Sequence, residues 1–225
     1  MRRTLAAALL ALAPAALAAQ TTLSAAGGGS VSSFGHNGAT STYGQTFLAP
    51  TNGDTRLDQF SFWLGASASM GIRGYVFAWD DALDRATGPA LFTSGTFAGS
   101  AGDGYHRVDV STGGLDLVGG TRYVAFLSTV GQVGSGSTQW EFSSPASTYA
   151  DGAFVYFNTS SLAALNTQTW DGGSGNHIGM GGDVRFELAF NAASSNVVPE
   201  PGTWALLATG LVAVGGVARR RVRTA

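Results

Sequence analysis

The side chains able to do chemistry are few and scattered. Between the two ends of the chain lie two glutamates, Glu141 and Glu187, and three histidines, His36, His106 and His177; there is no cysteine. Glycoside hydrolysis needs two carboxyl groups about 5–10 Å apart across a cleft, and these glutamates are far apart in sequence. No G-x-S-x-G elbow, H-E-x-x-H pair or phosphate-binding loop occurs. Without cysteine there is no thiol nucleophile, zinc–thiolate site or iron–sulfur cluster. The expectation is a protein that is not an enzyme.

Metal chemistry has one candidate. Asp80, Asp81 and Asp84 follow an apolar run, and hard oxygen ligands so close together could hold calcium. The same residues suit a solvated turn in which aspartates accept backbone N–H groups. The segment Gly172-Gly173-Ser174-Gly175-Asn176-His177-Ile178 partly matches a calcium-binding glycine repeat. However, His177 stands where the ligand aspartate belongs, and there is a single copy. No resident cofactor is expected, with calcium as the alternative.

Binding chemistry points to aromatics, since the C–H faces of a sugar stack on an exposed ring. Trp63 falls on the strand face opposite Phe60 and Phe62, while Trp140 and Trp170 stand in short or loop-like contexts. These three are the candidate ligand contacts; the competing role for each is core or rim packing. The region between the ends has no lysine, and its six arginines against thirteen carboxylates leave a charge of −7. Such a surface repels nucleic acid and keeps the protein soluble.

The elements that must position these residues read as strands. Residues 43–49, 57–64, 72–79, 90–97, 105–110, 122–129, 139–142, 153–157 and 184–190 are short β-type runs separated by turn residues. Phe60, Phe62 and Leu64 share one face, as do Val184, Phe186, Leu188 and Phe190. In 72–79, Tyr75, Phe77 and Trp79 oppose Val76 and Ala78, so both faces of that strand are expected to be covered. Residues 20–42 read as a Gly/Ser-rich lead-in or irregular first strand, 80–89 as a polar connection, 162–168 as a short helical turn or loop and 172–182 as a glycine loop. About nine strands without intervening helices predict an all-β, antiparallel, jelly-roll-like sandwich spanning 20–195.

Both ends are addresses. Arg2 and Arg3 precede an apolar run of about 13 residues containing Pro14, followed by Ala16-Leu17-Ala18-Ala19. This predicts a signal peptide over 1–19, cut after Ala18 or Ala19; the run is short for a lasting span. At the other end, Pro199-Glu200-Pro201 is followed by about 16 apolar residues and then Arg219, Arg220, Arg221 and Arg223. At 1.5 Å per residue that helix covers roughly 24 Å of a hydrocarbon core about 30 Å thick. The arginines stay cytoplasmic, and the two prolines hold the approach extended. A permanent tail anchor is the competing reading.

Residues 196–225 resemble the PEP-CTERM sorting signal of Gram-negative bacteria, with Pro199, Glu200 and Pro201 as the motif, then the apolar helix and the basic stop. The resemblance implies recognition by an exosortase, a membrane protease, which removes the tail after transient inner-membrane insertion. The body then goes to the cell surface or the exterior, commonly in exopolysaccharide-producing bacteria. A weaker resemblance over 43–129 is carried by Gly44-Gln45-Thr46-Phe47, Gly74-Tyr75-Val76-Phe77-Ala78-Trp79-Asp80 and Arg122-Tyr123-Val124-Ala125-Phe126-Leu127. It is to β-sandwich ectodomains of anchored bacterial surface proteins, similar in outline to carbohydrate-binding modules. The expectation is an exported surface or matrix protein, structural or exopolysaccharide-associated; the alternative is a carbohydrate-binding module with a defined glycan, assisted by calcium.

Overall fold

The computed structural model describes residues 20–143, 149–172, 182–193 and Thr209. The chain divides into two units, Met1–Ala193 and Ser194–Ala225, and the fold below is that of the first. The expected leader, the sorting signal apart from Thr209, and the glycine stretch around His177 lie outside the described residues.

Strands β1 (Thr21–Ala25), β2 (Gly29–Gly35), β4 (Arg56–Leu64), β8 (His106–Asp116), β10 (Ser137–Phe142) and β13 (Phe186–Asn191) form one antiparallel sheet. Its order is β1-β13-β4-β10-β2, with β8 also paired to β4. Strands β3 (Thr42–Leu48), β5 (Gly71–Asp80), β6 (Arg85–Thr93), β7 (Phe97–Ala98), β9 (Arg122–Ser128), β11 (Phe154–Phe157) and β12 (Asp171–Gly172) form the other. That order is β12-β11-β3-β9-β5-β6, with β7 also paired to β5.

The main core lies between the sheets and follows from period-two alternation. Phe60, Phe62 and Leu64 of β4 and Leu188 and Phe190 of β13 are completely buried. Register sets Phe186 beside Phe62 and Leu188 beside Phe60. Across the gap stand Phe47, Val76 and Leu127 of the second sheet. Rings meet between sheets, Phe47 with Phe190 at 6.0 Å and Tyr43 with Trp140 at 5.5 Å between centroids.

The seven-stranded sheet buries its other face as well. Tyr75, Phe77 and Trp79 of β5, with Val124, Phe126, Val155 and Phe157, form a second core together with Ala164, Leu165 and Trp170. The cover is the segment after β11, wound into a 3-10 turn at Leu162–Asn166 whose Ala164 and Leu165 point inward. The expected double coverage of the 72–79 strand is observed.

Three readings of the sequence are corrected. Residues 20–42 are no loose lead-in: β1 pairs with β13 over five positions, and β2 pairs with β10. Their alternation is hidden because Ser, Thr and Gly fill the outward positions, while Val31 and Phe34 are buried. The connection expected over 80–89 is shorter, since β6 begins at Arg85 and its register shifts between Val76 and Ala78. Strand β8 likewise runs on to Asp116 through a shift between Leu57 and Gln59.

One buried polar clasp joins the sheets. Gln45 of β3 donates from Nε2 to Asp183 Oδ1 at 2.7 Å and accepts the Val184 N–H at its Oε1 at 3.3 Å. Asp183 Oδ2 accepts the Tyr149 N–H at 3.0 Å, and both Gln45 and Asp183 are fully buried. Removing the carboxylate strands buried donors that water cannot reach. Asp183→Ala is expected to cost about 3–5 kcal/mol, with Asp183→Asn losing less. Denaturant unfolding checks this, and a loss under about 1 kcal/mol would count against the clasp.

Candidate functional site

The structure places the three candidate tryptophans in three different settings, and none offers an open ring face. Trp140 is completely buried in the main core, 5.2 Å from Phe34 and 4.8 Å from Phe62 between ring centroids. The signal was present: Thr138 and Trp140 are the inward positions of β10. Trp170, 1% exposed, belongs to the second core. It stacks on Phe157 at 5.7 Å, and its Nε1 donates to the Leu165 carbonyl at 2.8 Å. Trp63 does face outward from β4, as expected. Arg107 on β8 and Arg185 beside β13 lie over its ring, 5.1 and 4.1 Å from guanidinium carbon to centroid. Two cations flanking one indole satisfy its π faces and leave little for a sugar.

The aspartate cluster is a turn. Asp80 Oδ1 accepts the N–H groups of Ala82 and Leu83 at 2.9 and 3.1 Å. Asp81 is ion-paired with Arg122 at 2.7 Å. Asp84 takes a left-handed φ of 45°, and its carbonyl accepts the Trp170 N–H at 2.7 Å. The cluster's visible work is to shape the β5–β6 turn and hold the cover of the second core. Among the described residues no three His, Asp or Glu side chains gather as a metal site needs.

Both glutamates stand on the outer face of the six-stranded sheet, each matched to an arginine. Arg185 meets Glu141 at 2.9 Å; Arg107 meets Glu187 at 2.7 Å and Asp109 at 2.6 Å. Ser61 Oγ donates to Asp109 at 2.6 Å. Arg107 is held above the ordinary guanidinium value by hydrogen bonds to Glu187 and then Asp109. Burial alone would raise the Asp109 carboxyl. Hydrogen bonds from Arg107 and Ser61, with the arginine's charge, outweigh that effect and hold it below 3.8.

Because the folded value lies below the unfolded one, the stabilisation is full above the unfolded value and fades as pH falls through the folded value. Asp109 is half exposed, so solvent screening keeps the effect small. Asp109→Asn is expected to lower Tm by about 1–3 °C at neutral pH. The gap from wild type should narrow as pH falls through and below the ordinary carboxylate range; an equal gap at neutral and acid pH would contradict the network.

Concave polar surface gathers at one end of the sandwich. Antiparallel register brings there the loops 36–41, 65–70, 99–105, 129–136 and 158–161. A dish of about 420 Å³ is lined by Gly65, Gly102, Asp103, Tyr105, Ser137 and Gln139, among others. Tyr105, just before β8, is 36% exposed. Gly102 and Gly104 beside it take φ of 101° and 81°, a region few other residues enter. Beneath Gly102 lies His106, whose buried Nε2 has no hydrogen-bond partner.

A second basin, about 490 Å³, is lined by His36, Asn37, Ser41, Gln132 and Asn158, among others. Ser41 ties its walls together: its hydroxyl donates to the Thr159 carbonyl at 2.9 Å, and its own carbonyl accepts the Thr129 N–H at 2.9 Å. Sequence reasoning took Tyr105 only as the first residue of a strand. The Gly-Asp-Gly-Tyr string that turns it outward was the available signal.

No curated protein matches the chain. Residues 197–221 match the PEP-CTERM protein-sorting motif. The match concerns the tail and leaves the sandwich undescribed. The chain thus carries a PEP-CTERM sorting signal, which implies exosortase-dependent sorting of an exported protein to the cell surface.

Proposed function

We propose that this is a non-enzymatic surface or extracellular-matrix protein whose jelly-roll-like sandwich is exported, held briefly in the inner membrane by its tail, and then freed by an exosortase to associate with exopolysaccharide. The observation that carries this reading is the order of parts within 197–221: Pro-Glu-Pro, apolar run, arginines. Each part has a physical job. The arginines halt translocation at the cytoplasmic face. The apolar run holds the chain in the bilayer but is short for permanent residence. The two prolines keep Glu200 in an extended segment that a protease groove can take up.

The body fits the destination. Its acidic surface resists docking on anionic lipid, and the six-stranded sheet ties its glutamates to arginines instead of presenting a hydrolytic pair. Alternation of the chain between sheets supports the jelly-roll reading.

Glu200→Ala is expected to leave export intact and block tail removal. Intact mass of the protein from membranes and medium reads the outcome: the wild type loses its arginine tail, whereas the variant keeps it and stays with the membrane. A normally trimmed variant would exclude recognition through Glu200. A wild-type protein that keeps its arginines would favour a lasting anchor.

A further inference from the structure

We propose that the dish around Tyr105 binds an uncharged saccharide. A sugar ring presents C–H groups on its faces and hydroxyls around its edge, so its site needs a flat apolar surface ringed by groups that donate and accept. Tyr105 supplies the flat surface. Its ring is exposed, makes no hydrogen bond and stacks on no other ring among the described residues. Gly104 beside it leaves open space where any other residue would place a Cβ.

The edge groups are present and uncommitted. Asp103, Gln139 and Ser137 line the same dish, and among the described residues their side chains make no hydrogen bond or ion pair. A carboxylate accepts two hydroxyls at once, while an amide and a hydroxyl can each donate and accept.

The backbone around them is fixed beforehand. Gly65 N–H donates to the Gln139 carbonyl at 2.8 Å, Ser67 N–H to the Ser100 carbonyl at 2.7 Å and Ser135 N–H to the Ser69 carbonyl at 3.1 Å. These bonds knit three loops into one surface, so little ordering remains to oppose binding.

Charge selects the class. No arginine lines the dish, and Asp103 is its one charged side chain. Uronic acids, phosphates and nucleic acids meet repulsion there, reinforced by the net acidity of the body. The lining of the second basin holds no Phe, Tyr or Trp, only the smaller imidazole of His36, which makes the Tyr105 dish the better fit to a sugar.

The inference rests on the exported-matrix reading only for where the saccharide would be met. The protein recovered from its producing host is tested on an array of neutral oligosaccharides (glucans, mannans, galactans) and acidic ones (oligogalacturonates, alginate fragments). Neutral probes are expected to bind and acidic ones not. Tyr105→Ala should weaken binding about tenfold or more, and Tyr105→Phe should stay within about threefold of wild type. Trp63→Ala, on the arginine-covered face, should leave binding unchanged, with Tm confirming that each variant folds.

Absence of neutral binding, a preference for acidic probes, or undiminished binding by Tyr105→Ala would overturn the dish. The terminal mass of the same preparation separates the two readings. Trimmed protein that binds no neutral sugar sinks the dish alone, and untrimmed protein that binds one supports the dish while sinking the sorting mechanism.

Discussion

The seven-stranded sheet is apolar on both faces, and most of the architecture answers to that constraint. One face packs on the six-stranded sheet through Phe47, Val76 and Leu127. The other presents Tyr75, Phe77, Val124 and Phe126, which water would solvate poorly without a second layer. Among the described residues the cover is the segment after β11, anchored by Trp170. An indole in such a core is worth about 3–5 kcal/mol on truncation to alanine, enough to hold an otherwise irregular segment in place. The backbone bond from Trp170 to the Asp84 carbonyl then fixes the β5–β6 turn, so the aspartates there are recruited to structure.

Legibility in the sequence followed the same division. Strands whose inward positions are large and apolar, such as β4 with Phe60, Phe62 and Leu64 or β13 with Phe186, Leu188 and Phe190, could be read directly. The double coverage of β5 was also readable, because Tyr75, Val76, Phe77, Ala78 and Trp79 leave no polar face. Strands β1 and β2 were obscured by outward serines and threonines with few apolar partners. Trp170 was misjudged for a different reason: its burial depends on a long-range cover, which local periodicity does not encode. Tyr105 was missed because exposure at a loop end follows from which loops the register gathers, a tertiary fact.

The outer face of the six-stranded sheet shows how an acidic, cysteine-free body keeps a flat polar surface in order. Arg107 is shared between Asp109 and Glu187, and Arg185 is committed to Glu141. Each exposed pair contributes modestly by itself. Trp63 between the two guanidinium groups adds packing and a cation–π attraction that isolated pairs lack.

Address and body therefore make separate physical demands. The tail must be extended, then apolar, then basic, and those needs are met within 197–221 without help from the sandwich. The sandwich must survive outside the cell without disulfides, so its stability comes from two cores and from buried polar bonds such as Gln45–Asp183 and Thr129–Gly35. Once both sheets are occupied with packing or ion pairs, open chemistry is displaced to the loop end. There, glycines with positive φ turn the chain sharply and leave a ring and several polar groups uncommitted. A rigid scaffold with variable loops at one edge is how β-sandwiches commonly separate folding from recognition, and the same division is visible in this chain.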